Sequence, residues 1–149
     1  MRRLRQSVNE YLDQDSLDGW LGVTFTMKQR VNGKQLDEIG CSRNFRHFLN
    51  ILNKRVFGNA SVRYGKKVEV IPVLEKSLQG RLHYHTLIKN PLPDSVFKVE
   101  MMIRDVWQKT EWGYREVDII RKIDNGWIGY ITKHFGNDSV DWENLNVTR

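Results

Sequence analysis

Residues 75–89, EKSLQGRLHYHTLIK, constrain this chain more than any other stretch. A short connection containing Gly80 separates two segments rich in alternating and β-branched residues, the pattern of an antiparallel hairpin. Side chains alternate faces along a strand, so His83 and His85 share one face while Leu82, Tyr84 and Thr86 take the other. A hairpin centred on Gln79 sets Glu75 directly opposite His83, and directly opposed residues have Cβ atoms about 5 Å apart on the same face. One carboxylate and two imidazoles then converge. That donor set suits a single divalent cation and leaves coordination positions open for substrate oxygens.

The rest of the chain supplies the frame for this hairpin. Trp20 to Met27 reads as a first strand, and a polar loop follows around Asn32-Gly33. A helix is expected over about Arg43 to Phe57 with Ser42 as N-cap; Phe45, Phe48, Leu49, Leu52 and Val56 form its apolar stripe and Gly58 ends it. The hairpin strands are expected over about Ser61 to Glu75, interrupted at Pro72, and Leu82 to Lys89. A second helix follows Pro93-Asp94, with Phe97, Met101 and Val106 or Trp107 expected to be buried. Gly113 to Ile123 reads as a fourth strand, and Asp124-Asn125-Gly126 opens a third helix that ends near Phe135. The order β-α-β-β-α-β-α predicts an α+β fold, an antiparallel sheet with helices packed on one face in the ferredoxin-like manner.

The third helix carries the second chemical element, Tyr130 and Lys133. Their i, i+3 spacing puts a hydroxyl and an ammonium on one helical face. A phenol is about 0.1% ionised at neutral pH, so a tyrosine nucleophile requires a polarised target and a nearby cation. Judged from the helix alone, a core tyrosine beside a solvated lysine explains the pair equally well.

Bulk properties narrow the partners. The 149 residues carry a formal charge of +6 and 40% hydrophobic content, values that fit one folded domain with an anionic partner such as nucleic acid. About fifteen N-terminal residues and those after about 137 are expected to be peripheral. Cys41 is the one cysteine, which excludes an internal disulfide and a cysteine-based metal cluster; it is expected to pack as a small hydrophobe. His47 lies outside the constellation and is expected to be structural or exposed, and His134 is a candidate neighbour of the site. No apolar run has signal-peptide or membrane-span length, so a cytoplasmic protein without a membrane partner is expected.

These motifs resemble those of the HUH endonucleases. His83-Tyr84-His85 within LHYHTLI is similar to their His-hydrophobe-His motif, and Tyr130-Ile131-Thr132-Lys133 to the Tyr-x-x-Lys motif of the single-tyrosine replication initiators. Phe25-Thr26-Met27 resembles the short first motif of that branch, and Glu75 stands where Rep proteins keep a third, carboxylate ligand. The resemblance spans roughly residues 20–135. Its one departure is Tyr84 in place of an aliphatic residue, which is tolerable if that side chain faces outward from a loosely packed sheet back.

The resemblance implies the following. Glu75, His83 and His85 hold Mn²⁺ or Mg²⁺, Tyr130 is the nucleophile, and Lys133 stabilises phosphate charge or tunes the phenol. The reaction is nicking and rejoining of single-stranded DNA, an origin or hairpin, through a 5′-phosphotyrosine, as at the start of rolling-circle replication. Lys28, Arg30 and Arg81 are candidate contacts to the DNA backbone. No helicase domain accompanies the motifs, so a host helicase and polymerase are expected partners. A single-strand transposase of the same superfamily is the nearest alternative, separable by its DNA substrate. A non-catalytic single-stranded DNA- or RNA-binding module on the same frame leaves the histidine pair unexplained. A structural zinc site would normally draw on cysteines.

Overall fold

A computed structural model describes residues 17–135 and 139–148. Its elements are β1 (Trp20–Met27), β2 (Arg30–Val31), β3 (Lys34–Gln35), α1 (Glu38–Phe57), α2 (Asn59–Arg63), β4 (Val70–Lys76), β5 (Leu82–Lys89), α3 (Val96–Gln108), β6 (Gly113–Ile120) and α4 (Asn125–Phe135). Four strands form an antiparallel sheet in the order β4-β5-β1-β6, which is the ferredoxin-like order. The expected α+β class is therefore the observed one. β2 and β3 make a separate small hairpin across Asn32 and Gly33, whose φ angles of 50° and 78° are those of a two-residue turn.

Strand alternation gives the sheet two apolar faces. Leu21, Val23, Phe25 and Met27 of β1, Leu82, Tyr84 and Ile88 of β5, Val70 of β4 and Val117 of β6 pack under α1 and α3. α1 contributes Cys41, Phe45, Phe48, Leu49 and Leu52, and α3 contributes Val99, Met102, Ile103, Val106 and Trp107. Phe25 sits at the centre, with Phe45, Phe48 and Trp107 around it at ring-centroid distances of 5.7, 5.1 and 4.5 Å. Trimming such a residue to alanine costs about 3–5 kcal/mol. α4 lies on the other face, where Ile131 packs with Trp20, Ile71, Val73 and Leu87, and Trp127, Ile128 and Tyr130 border that cluster. Two helices thus cover one face and α4 covers the reverse.

α4 reaches the sheet where β1 has no side chain. A Cβ on Gly22 would fall 2.7 Å from Ile120 Cγ1 and 3.1 Å from Trp127 Cε2. After α4, residues 139–148 return along the edge of β4, with backbone hydrogen bonds from Leu74 N to Ser139 O and between Val70 and Asn146 in both directions. Val140 and Asn144 are buried there.

Several boundaries differ from expectation, each for a physical reason. α1 starts at Glu38 because Asp37 is the N-cap, its side chain accepting from Gly40 N at 2.7 Å. Ser42 lies inside the helix and instead donates to Asp141 at 3.1 Å. The strand expected from Ser61 begins at Val70, which pairs with Ile88 near the end of β5; earlier residues have no partner strand and include α2. β6 ends at Ile120, opposite Gly22, where β1 has almost run out. Phe97 and Met101 are 65% and 56% exposed. They lie about 160–200° round α3 from Val99, off the buried stripe. Tyr84 does not face outward: it is fully buried against Phe45, 4.5 Å between ring centroids. The basic N-terminal stretch with Arg2, Arg3 and Arg5 lies outside the described residues.

Candidate metal and nucleophile site

The β4–β5 hairpin has the register that the sequence predicts, with Glu75 opposite His83. β1 lies on the other side of β5 and puts Thr24 opposite His85 and Thr26 opposite His83. On the face covered by α4, Glu75, His83 and His85 point to one place. His83 Nε2 and His85 Nε2 are 3.1 Å apart, and each lies near Glu75 Oε2, at 3.4 and 3.3 Å. All three side chains keep some exposure, 22–32%, so the site is open to solvent on one side.

The separations test whether a cation fits. Ligands about 2.1 Å from one ion and at right angles to each other stand about 3 Å apart. The observed 3.1–3.4 Å agrees. Two imidazoles and one carboxylate are donors that a hard-to-borderline divalent ion accepts, with further positions left for substrate oxygens.

Thr24 orients one of these ligands. Its Oγ1 is 3.2 Å from His85 Nδ1. With Nδ1 carrying the proton, His85 donates to Thr24 and keeps its Nε2 lone pair on the triad, the arrangement metal-binding histidines use.

α4 brings the tyrosine. Tyr130 Oη donates a hydrogen bond to Glu75 Oε2, and its half-buried ring stands 4.8 Å from that of His85. Trp127, one turn earlier, packs edge-on against the same imidazole at 5.8 Å. The helix start is fixed by Asp124, whose Oδ1 accepts from Trp127 N at 2.9 Å. Lys133 lies one turn beyond Tyr130 with an exposed side chain, and no hydrogen bond or ion pair joins it to the triad among the described residues. His47 is exposed on α1. The side chain of His134 falls outside what is described.

Lys28, Arg30 and Arg81 are all exposed and stand at the triad's end of the sheet. Gln29 holds that end together: its amide donates to Met27 O and Leu82 O at 2.9 and 3.0 Å and accepts from Leu82 N at 2.9 Å. A cavity of about 920 Å³ borders Glu75 there, between the start of α1 and residues 139–143.

Sequence reasoning missed Thr24, Gln29, Trp127 and a polar cluster behind β5. Tyr84 Oη donates to Asp141 Oδ2 at 2.8 Å; Asn144 Nδ2 donates to the same oxygen at 2.8 Å. Burial first, and then the Asp141 carboxylate, pushes the Tyr84 phenol well above its ordinary range, so it stays protonated. The aromatic residue between the two histidines is thereby a tie between β5 and the returning segment. Only its position between His83 and His85 marked it in the sequence; Asp141 carried no local signal.

Among the described residues no helix is long and apolar enough to cross a membrane. No curated protein matches the chain, and no solved structure does. Residues 20–139, which run from the first residue of β1 past the end of α4, match the replication-associated protein ORF2 family. With that match covering the sheet, the hairpin triad and the tyrosine helix together, the chain belongs to this family of replication-associated proteins.

Proposed function

We propose that this chain is a metal-dependent endonuclease of the HUH type that nicks and rejoins single-stranded DNA to initiate rolling-circle replication. The observation that carries the reading is the meeting of Tyr130 with Glu75, His83 and His85 on one face of the sheet. Membership of a replication-associated family supports the replicative role.

In this reading Glu75, His83 and His85 hold Mn²⁺ or Mg²⁺, which supplies polarisation of the scissile phosphate and neutralises developing charge. Nitrogen donors favour Mn²⁺ at least as well as Mg²⁺. Tyr130 Oη attacks phosphorus, the bond to the 3′-oxygen breaks, and the phenolic proton is transferred, by way of groups at the site, to that leaving oxygen. The products are a 5′-phosphotyrosine and a 3′-hydroxyl, which can prime synthesis. Attack by a 3′-hydroxyl on the linkage reverses the step and releases Tyr130. The phosphodiester energy is conserved, so no nucleotide cofactor is consumed. Glu75, hydrogen-bonded to the phenol, holds Tyr130 against the triad before attack. Lys133 is placed to meet phosphate charge if its flexible side chain turns toward Tyr130. Lys28, Arg30 and Arg81 contact the DNA backbone at that end of the sheet. A host helicase and polymerase supply unwinding and synthesis.

The test mixes the protein with a labelled pool of single-stranded oligonucleotides and Mn²⁺ and resolves the products on a denaturing gel. A band raised by the protein's mass, lost with EDTA and with Tyr130→Phe, is expected. Absence of any adduct across the pool, with metal-independent DNA binding retained, overturns the nuclease in favour of a binding module.

A further inference from the structure

The loop between α1 and β4 is built unlike the rest of the surface. α2 buries no residue. Residues 62–67 are all exposed, with Val62 at 79% and Tyr64 at 76%. Two large apolar side chains held in water beside each other serve no packing purpose in the chain itself.

The charges point the same way. Elsewhere cations are matched by carboxylates: Arg55 and Lys109 with Asp105, Arg121 with Glu100, Lys89 with Glu69. Arg63, Lys66 and Lys67 form no ion pair among the described residues. Lys66 and Lys67 also line a cavity of about 340 Å³ whose other walls include Asn146 and Thr148.

The loop is presented on a firm base. Gly58 closes α1 with its N–H on Lys54 O, and Val68 N donates to the buried Asn53 side chain at 2.7 Å. Gly65 turns the chain at φ +64°, a value a side chain would strain. Unpaired cations beside an exposed aromatic ring are what a single strand requires: charge for its phosphates and a face for an unstacked base. A duplex offers no free base to Tyr64.

We propose that Arg63, Tyr64, Lys66 and Lys67 form a second single-stranded DNA contact, holding the strand that flanks the cleaved phosphate. The choice of DNA as the strand rests on the function proposed above. The patch lies beyond the start of β4, and Glu75 lies five residues after Val70, so about 17 Å of strand separates the two places. One oligonucleotide of sufficient length reaches both.

Fluorescence anisotropy in EDTA, with labelled oligonucleotides of mixed sequence about 8 and about 24 nucleotides long, tests this. The unaltered chain should bind the longer one more tightly. That length-dependent gain is expected to fall about tenfold in Tyr64→Ala and to survive in Tyr64→Phe. In the Lys66→Glu, Lys67→Glu double variant the gain should fall and the salt slope for the long strand should shrink by about 1.4, two phosphate contacts' worth. Circular dichroism checks folding, and Arg63→Glu is a second route should either variant not fold. Unchanged gain and slope overturn the proposal, as does a loss confined to duplex DNA or one of equal size on short and long strands. The nuclease reading fails separately, through the Tyr130 adduct, which this binding measurement does not involve.

Discussion

Tyr130 donates its phenolic hydrogen to Glu75 Oε2, the same carboxylate oxygen that lies 3.4 Å from His83 Nε2 and 3.3 Å from His85 Nε2. The candidate nucleophile and the two imidazoles therefore share one acceptor, and a cation bound by the triad competes with the phenol for it. Tyr130→Phe should bind Mn²⁺ at least as tightly as the unaltered chain by calorimetry, while Glu75→Ala should bind it at least tenfold more weakly. A large loss of Mn²⁺ affinity in Tyr130→Phe would instead make the phenol part of the ligand set.

Thr24 should matter to the metal without touching it. Removing its hydroxyl leaves His85 Nδ1 without the partner that orients the ring. Thr24→Val is expected to weaken Mn²⁺ binding about tenfold, and Thr24→Ser to restore it. Equal affinities for all three proteins would show that packing alone orients the ring.

Asp141 gathers donors from three elements: Tyr84 of β5, Ser42 of α1 and Asn144 of the returning segment. Asp141→Ala leaves the buried Tyr84 hydroxyl without its acceptor and should cost about 2–3 kcal/mol in urea unfolding. Tyr84→Phe removes only one donor from a carboxylate that keeps two others, so its cost should be smaller, about 1–1.5 kcal/mol. The reverse ranking would mean that the segment is held by its backbone pairing with β4.

Gly22 sets how closely α4 approaches the sheet. Gly22→Ala puts a methyl group 2.7 Å from Ile120 Cγ1 and 3.1 Å from the Trp127 ring, which should cost about 1–3 kcal/mol by overpacking. Because Trp127 and Tyr130 share a helix, adduct formation should slow as well. Trp127→Ala in the same chain should recover part of the stability cost, and a double-mutant cycle measures how much.

Cys41 should be chemically silent in the folded protein. Burial, reinforced by the carboxylates of Asp37, Asp141 and Glu38, pushes its thiol up to about 12. At pH 8 about 0.01% is then thiolate, so iodoacetamide should label the chain only after denaturation. Rapid labelling of the native protein would place Cys41 in an opening region of α1.

The alternation of residues 82–89 and the short turn at Gly80 determined, without any tertiary information, that Glu75 faces His83 and that His85 shares their side. β1 and β5 have the bounds their composition predicts, because β-branched and aromatic runs ended by turn residues are local signals. Three-dimensional packing decided the rest. α4 lies on the sheet face opposite α1 and α3, which puts Tyr130 over the triad; its sequence spacing says which residues share a helical face but not which surface that face meets. Tyr84 became a buried tie and not an outward ring because Asp141, 57 residues away, supplies an acceptor behind β5. Thr24 joined the site through a strand pairing across 61 residues. Such long-range partners are set by sheet order and by which cavities need filling, and neither leaves a periodic mark in the chain.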